Sequence, residues 1–408
     1  MSSAAIKRGK RSAASARRER GHWMWLAVAA LGTLYIGSTL LTPLYPIYRR
    51  EFGFPELVVA QIYAAYAVGN LAVLFSLGRL SDQLGRKRTT LVALALTAAS
   101  ALVFLLAQST AWLFAARIVN GFAAGLGAGA VTAWIAELEP RQDQQRASMV
   151  AVAGNLGGLA LGALCAGVMA EYGPWPLRLP WAAFMAILVG VLAAMAMAPE
   201  TIRDPKDVKE LSIRPRLGVP RGIRMAFASP AALAFASFAL GGFYAALIPG
   251  LLVGTLGEGN LAVVGLVTGG FFATAAIAAA ATRSLSPRAA MVAGAFPMLA
   301  GLAMLVASEA LASMALLVGA AILGGAGVAL GYRSSLQIVN TIAPASKRAE
   351  VVSTYLLACY AGNALPVVGV GFLAEAAGPQ LAHRVFAGAL AVLICIAVGI
   401  GLRFVREK

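Results

Sequence analysis

Twelve stretches of about 20 residues, almost free of charge and separated by short segments that collect the charge, dominate this chain. They fall at about 24–47, 57–77, 89–107, 111–136, 147–170, 179–198, 229–255, 260–281, 289–307, 311–332, 351–374 and 385–402. A helix needs about 20 apolar residues to cross roughly 30 Å of hydrocarbon, so each run has the length of one crossing. With 60% hydrophobic and 12% charged residues and a mean hydropathy of +0.79, folding in water would leave far more apolar surface than one or two cores can cover. The bilayer is the solvent this sequence implies. The 44 glycines and 18 prolines fit that solvent, because neighbouring helices re-satisfy backbone groups that glycine and proline release.

The formal charge of +16 is sided. With alternating spans, one side holds Lys7, Arg8, Lys10, Arg11, Arg17, Arg18 and Arg20 in the tail, the run Arg86, Lys87 and Arg88, then Arg141, Arg146, the set from Arg203 to Arg224, Arg283, Arg288, Arg333, Lys347 and Arg348. The other side holds Arg49, Arg50, Arg178 and Arg384. This asymmetry predicts both termini in the cytoplasm of a bacterial-type inner membrane. It also makes the basic tail a topology anchor beside anionic lipid rather than an arm for nucleic acid. A cleaved signal peptide is not expected, since the run after Trp23 is too long for one. Cys165, Cys359 and Cys395 lie within spans as packing residues, and His22 and His383 sit at span edges as interfacial residues. No metal-ligand spacing and no cofactor motif is found, and the chain is read as a monomer.

Residues 199–228 combine charge, proline and glycine and read as a linker. The expected organisation is a basic tail at 1–22, a six-helix bundle at 23–198, the linker, and a second six-helix bundle at 229–405. The halves resemble each other. AGNLGG from Ala153 has its counterpart in AGNALP from Ala361, and an offset of 204 residues sets Gly121 on Gly325, Gly127 on Gly331 and Pro140 on Pro344.

Between the second and third runs stands GRLSDQLGRKRTT, with Gly78, Asp82, Gly85, Arg86 and Lys87. These positions resemble the GxxxDRxGRR pattern of the major facilitator superfamily, with Gln83 in place of a basic residue. The fourth run adds RIVNGFAAGLGAG from Arg117, similar to that family's Arg-plus-glycine motif. The fifth adds GNLGGLALG from Gly154, similar to the glycine-rich motif of its antiporter branches, where Leu159 replaces a proline. Pro199, Glu200 and Thr201 resemble the ending of the sixth helix in some branches. The resemblance implies an all-α membrane protein of twelve transmembrane helices in two pseudo-symmetric six-helix bundles, related to drug and small-molecule efflux proteins that work by alternating access.

Asp82 is placed to accept hydrogen bonds from the amino end of the eleventh helix, and Arg86 to pair with Glu137. With Gly78 and Gly85 they form the expected conformational switch, a cluster that breaks when the cytoplasmic face opens. Arg117 is the one ionised residue placed well inside a span. Such a residue costs about 2.5–3.5 kcal/mol at a helix centre, so it faces a bundle interior or a cavity with a partner. Gly121, Gly125 and Gly129, and Gly154, Gly158 and Gly162, are expected to let helices pack closely. The seventeen acidic residues all fall in loops, tails or span ends, Glu309 among the outer ones.

Without a carboxylate in mid-membrane, Arg117 favours neutral or anionic amphipathic small molecules over cations, and protons would be carried nearer the faces. Tyr35, Ser38, Thr39 and Thr42 follow the i, i+3, i+4, i+7 spacing of one helix face, which makes them a candidate pathway wall. Tyr66, Asn70, Asn120, Asn155 and Asn363 add polar contacts, whereas Tyr45, Tyr48 and Trp112 are expected in the interfacial belt. The function these residues predict is secondary transport of small organic molecules, most simply export coupled to protons. Uptake of a polar metabolite and a non-transporting receptor are the alternatives. No nucleophile elbow, metal cluster or P-loop points to an enzyme.

Overall fold

The computed structural model describes residues 3–77, 83–202 and 217–404. Twelve of its helices are long and apolar enough to cross a membrane. They are α1 (Ser3–Thr39), α2 (Glu56–Leu77), α3 (Arg86–Leu105), α4 (Thr110–Leu138), α5 (Gln144–Tyr172), α6 (Leu179–Ala196), α7 (Arg224–Ala246), α8 (Leu261–Ala281), α9 (Pro287–Ala310), α10 (Met314–Ile342), α11 (Arg348–Ala377) and α12 (Pro379–Phe404). Their starts are set by local chemistry. Asp143, Asn260, Ser286 and Ser313 each accept a hydrogen bond from a backbone N–H in the first turn that follows, and Pro287 takes a position where its missing N–H costs nothing. The side where α1 begins and α12 ends is the terminal face; the opposite side is the distal face.

Two of the apolar runs are broken rather than continuous. Pro43 cannot donate, so α1 stops at Thr39, the chain tightens into a 3-10 turn over Thr42–Leu44, and a short helix Tyr45–Phe52 follows, ended by Gly53 at φ +68°. In the second half α7 stops at Ala246 and a short helix with Pro249 near its start runs over Ile248–Gly254.

One core gathers buried side chains from Met24 to Ala198 and takes in Leu261. A second runs from Leu233 to Ala397 and takes in Ala60 and Tyr63 of α2, and a smaller third joins Phe227, Val339, Tyr355 and Cys359. Lipid supplies no hydrophobic drive between helices, so close backbone approach must hold them. The halves use the same approach. A methyl group at Gly121 of α4 would collide with the Tyr66 carbonyl of α2, and one at Gly325 of α10 with the Phe271 carbonyl of α8. Gly158 of α5 meets the Gly32 carbonyl of α1, as Gly362 of α11 meets the Phe235 carbonyl of α7. Outward-facing side chains such as Val68, Ile277 and Phe296 are exposed, as a lipid-facing surface requires. Cys165 and Cys395 are exposed too; only Cys359 is a packing residue as expected.

The polar and backbone contacts between the halves gather toward the distal face. Thr42 Oγ1 donates to the Ala245 carbonyl at 2.8 Å, and Tyr63 Oη donates to Asn363 Oδ1 at 2.9 Å. Glu171 at the end of α5 accepts from the Leu261 N–H at 2.8 Å, and below it Gly167 and Gly265 lie backbone to backbone. On the terminal side the halves meet where Arg283 Nη1 lies 4.0 Å from Met149 Sδ.

Candidate functional site

Arg117 lies seven residues into α4 and is 1% exposed, so it does not reach toward the membrane surface. Its Nη1 donates to the Ser38 carbonyl at 2.7 Å and its Nη2 to Tyr45 Oη at 2.9 Å. The break in α1 supplies the first acceptor, because the last carbonyls of a helix have no partner within it. The guanidinium also lies 5.5 Å from the centre of the Tyr63 ring and 5.8 Å from that of Tyr66. Cation–π contacts of this kind contribute about 2 kcal/mol or more when dry. Among the described residues no carboxylate pairs with Arg117 and its Nε has no hydrogen-bond partner. It is a buried cation held by dipoles and ring faces. Tyr45 therefore belongs to this site and not to an interfacial belt, and Tyr48 is equally buried; Trp112 is exposed, as expected of a belt residue.

The polar face expected along the first span is not one face. Ser38 lends its carbonyl to Arg117, but Thr39 turns to α5 and donates to the Leu159 carbonyl at 2.7 Å. Thr42 sits beyond the helix end in the 3-10 turn and ties the two halves. Both hydroxyls are spent on backbone, so these two threonines hold helices together instead of lining a wall. Tyr35 is half-buried and fits the expectation better. In the second half Phe238 makes edge contacts with Tyr332 at 5.3 Å and Tyr360 at 5.9 Å, and all three are half-buried.

Asn70 and Asn120 are 2% exposed, and Asn70 Nδ2 and Asn120 Oδ1 find no partner among the described residues. Buried amides left unpaired are costly unless something else visits them. Asn155 is half-buried on α5, and Asn363 is engaged by Tyr63 across the halves. Of the glycines, Gly121, Gly158 and Gly162 sit against the backbone of a neighbouring helix. A methyl group at Gly125 or Gly154 would lie 3.0–3.1 Å from atoms of α2 or α1, a tight fit. Gly129 has open space beside it, so packing does not require it.

At the terminal face Gly78 and Asp82 lie outside the described residues. Arg86 Nε donates to Glu137 Oε1 at 3.1 Å, as the spacing predicts. The pair sits inside a cluster that the sequence did not reveal. Glu200 Oε1 accepts from the Arg86 N–H at 2.9 Å and Oε2 from the Lys87 N–H at 3.1 Å, while Thr201 Oγ1 donates to Glu137. A carboxylate on free N–H groups at a helix start also meets the positive end of the helix dipole. Gly85, at φ +101°, leaves the room that this carboxylate fills, where any side chain would collide with it. Arg86 and Glu137 belong to the first bundle and Glu200 and Thr201 to the start of the linker, so these contacts tie the first bundle to the linker. Replacing Glu200 by Gln is expected to lower stability by about 1–2 kcal/mol, the scale of one charge-assisted bond partly exposed to water. Thermal unfolding of the purified protein in detergent reads it.

The acidic residues hold one surprise. Glu309, expected in an outer loop, is 6% exposed at the end of α9, and His383, expected at the interface, is 1% exposed on α12. His383 Nδ1 and Glu309 Oε1 are hydrogen-bonded, and Phe243 sets its ring edge-on to the imidazole at 5.0 Å. Both helices extend past the charge-free runs, and His383 continues the buried stripe of Phe386, Leu390, Ile394 and Ala397. A distal pocket of about 490 Å³ lies between the halves, with Tyr45 and His383 among its lining, beneath Arg49, Arg50 and Glu56. Two buried ionisable sites thus approach one pocket, Arg117 through Tyr45 and Glu309 through His383, whereas the buried Glu139 pairs with Arg146 at the terminal face.

The chain is similar to the quinolone resistance protein NorA of Staphylococcus aureus, 28% identical over 175 residues, which is 42% of this chain and 43% of that protein. It is also 26% identical over 161 residues to multidrug resistance protein 2 of Bacillus subtilis, 40% of this chain and 39% of the relative. The similarity therefore spans less than half the length of these curated relatives. The sequence profile of the Major Facilitator Superfamily matches residues 27–286, well over half of the chain. With twelve apolar helices in two related sets of six, the chain belongs to the Major Facilitator Superfamily.

Proposed function

We propose that this protein exports small organic molecules from a bacterial cell by alternating access and exchanges them for protons. The bundles at 23–198 and 229–405 would rock about the seam between them, the terminal face being cytoplasmic because it gathers the Lys and Arg residues. The observation that carries this reading is a dry cation, Arg117, with no carboxylate partner among the described residues and with the rings of Tyr63 and Tyr66 against it. Rings from Tyr35, Phe238, Tyr332 and Tyr360 suit an amphipathic body, and Arg117 suits a carboxylate or a polarised carbonyl. Neutral and anionic compounds are therefore the favoured substrates. The relatives named for quinolone and multidrug resistance support export, and quinolones carry a carboxylate.

The monomer holds every part of this mechanism. Purified protein in proteoliposomes, loaded with a panel of anionic, neutral and cationic compounds, tests it. Proton movement is expected on addition of neutral and anionic members, quinolones included. Flux of cations alone would remove the role given to Arg117, and ligand binding without flux would make the protein a receptor.

A further inference from the structure

We propose that Glu309 and His383 form a proton-loading site that exchanges with the distal side and permits that side to close. The proposal rests on the proton-coupled reading above and gives it an address. The two side chains are each 2% exposed and joined by one hydrogen bond. Glu309 Oε2 and His383 Nε2 have no partner among the described residues. With one proton shared between them the pair carries no net charge. Without it a carboxylate beside a neutral imidazole leaves a net negative charge in a dry site, which is strongly unfavourable. Closure of the distal side therefore favours the pair that has taken up its proton.

In this conformation the pair is approached from the distal side. His383 lines the distal pocket, while Phe243 and Phe386, stacked at 4.8 Å, lie on the inner side of the imidazole. The ionisable groups around the pocket come from the first bundle: Arg49 and Arg50 on the short helix and Glu56 at the start of α2, with Arg49 Nη1 3.9 Å from Glu56 Oε2. On α12 Arg384 is exposed, and near the end of α11 Glu375 is exposed. α7 carries Arg224 at its terminal-side start, and near the pair α7 and the short helix Ile248–Gly254 bring Tyr244, whose ring is stacked on Phe271. In α10 Arg333 lies toward the terminal face and bonds the Leu285 carbonyl. When the distal side opens, water and the two arginines stabilise the deprotonated pair; when it closes, the pair keeps its proton until the terminal face opens and the proton leaves there.

The test uses the full chain with C165S and C395S, spin-labelled at E51C and Q380C on the distal ends of the two bundles. The distance between labels is expected to shorten as pH falls from about 8 to about 5. In E309Q, and in the double variant E309Q/H383Q that puts two uncharged amides in place of the pair, the distance is expected to stay short at every pH. In proteoliposomes E309Q is expected to lose pH-gradient-driven quinolone accumulation by at least about tenfold while keeping quinolone counterflow without a gradient, the sign of an intact pathway with its coupling removed. A distance that ignores pH in the parent, or that still follows pH in both variants, overturns the proposal. A distance that titrates and is fixed by E309Q, in a protein that shows no gradient-driven accumulation, upholds the pair and overturns the coupled reading.

Discussion

Arg117→Met is expected to slow movement of anionic compounds by about tenfold to a hundredfold and to spare neutral ones. Methionine keeps most of the apolar stem and removes the charge together with both hydrogen bonds, to the Ser38 carbonyl and to Tyr45 Oη. A hydrogen bond to a charged group contributes about 1.5–3 kcal/mol, and each 1.4 kcal/mol is tenfold, so the loss for anions is about tenfold to a hundredfold. Arg117→Lys separates charge from geometry. One ammonium cannot bridge two acceptors with a planar fork or lie flat between the Tyr63 and Tyr66 rings, so an intermediate loss is expected. Rates measured in proteoliposomes for one anionic and one neutral compound decide it. Equal losses for both would assign Arg117 to architecture alone.

Gly121→Leu should leave no recoverable folded protein, whereas Gly129→Leu, eight residues further along the same helix, should be tolerated. At Gly121 the obstacle is backbone: the Tyr66 carbonyl and the Asn70 N–H of α2 stand where the side chain would go. Even one extra methylene in a packed core costs about 1–3 kcal/mol, and here neither helix can retreat without losing the neighbouring contacts. At Gly129 no atom lies within 4 Å, and an exposed change away from packing is usually within about 0.5 kcal/mol. Gly325→Leu should behave like Gly121→Leu, since it faces the Phe271 carbonyl in the equivalent place. The fraction of monodisperse protein and its melting temperature in detergent read all three.

These cases show what the order of residues makes legible. The number of crossings follows from length and hydropathy, because nothing else tolerates twelve such runs. The offset of 204 residues correctly pairs Gly121 with Gly325 and points to the same helix contact in both halves. Arg117 stands out as a lone charge in an apolar run, and Arg86 with Glu137 as opposite charges at adjacent helix ends. What stays hidden is which side of each helix faces inward. In water an amphipathic stripe gives this away, but a helix apolar all round gives no such contrast. The spacing of Thr39 and Thr42 suggests one wall, but the break at Pro43 turns them apart and both bond backbone carbonyls. Glu309 and His383 lay just beyond the apolar runs and looked like surface residues. The helices that carry them extend three and six residues further at the distal end, enough to bury both. Glu200 was hidden for another reason: its partners, the N–H groups of Arg86 and Lys87, are backbone and leave no mark in residue types.

Among the described residues no salt bridge crosses from one bundle to the other; the seam is closed by hydroxyl and amide hydrogen bonds, one carboxylate on a backbone N–H, and glycine against glycine. Contacts of this kind are hardly screened by dissolved ions. The tempo of opening should then follow heat and the lateral squeeze of the surrounding lipid, and stay nearly level from dilute buffer to brine.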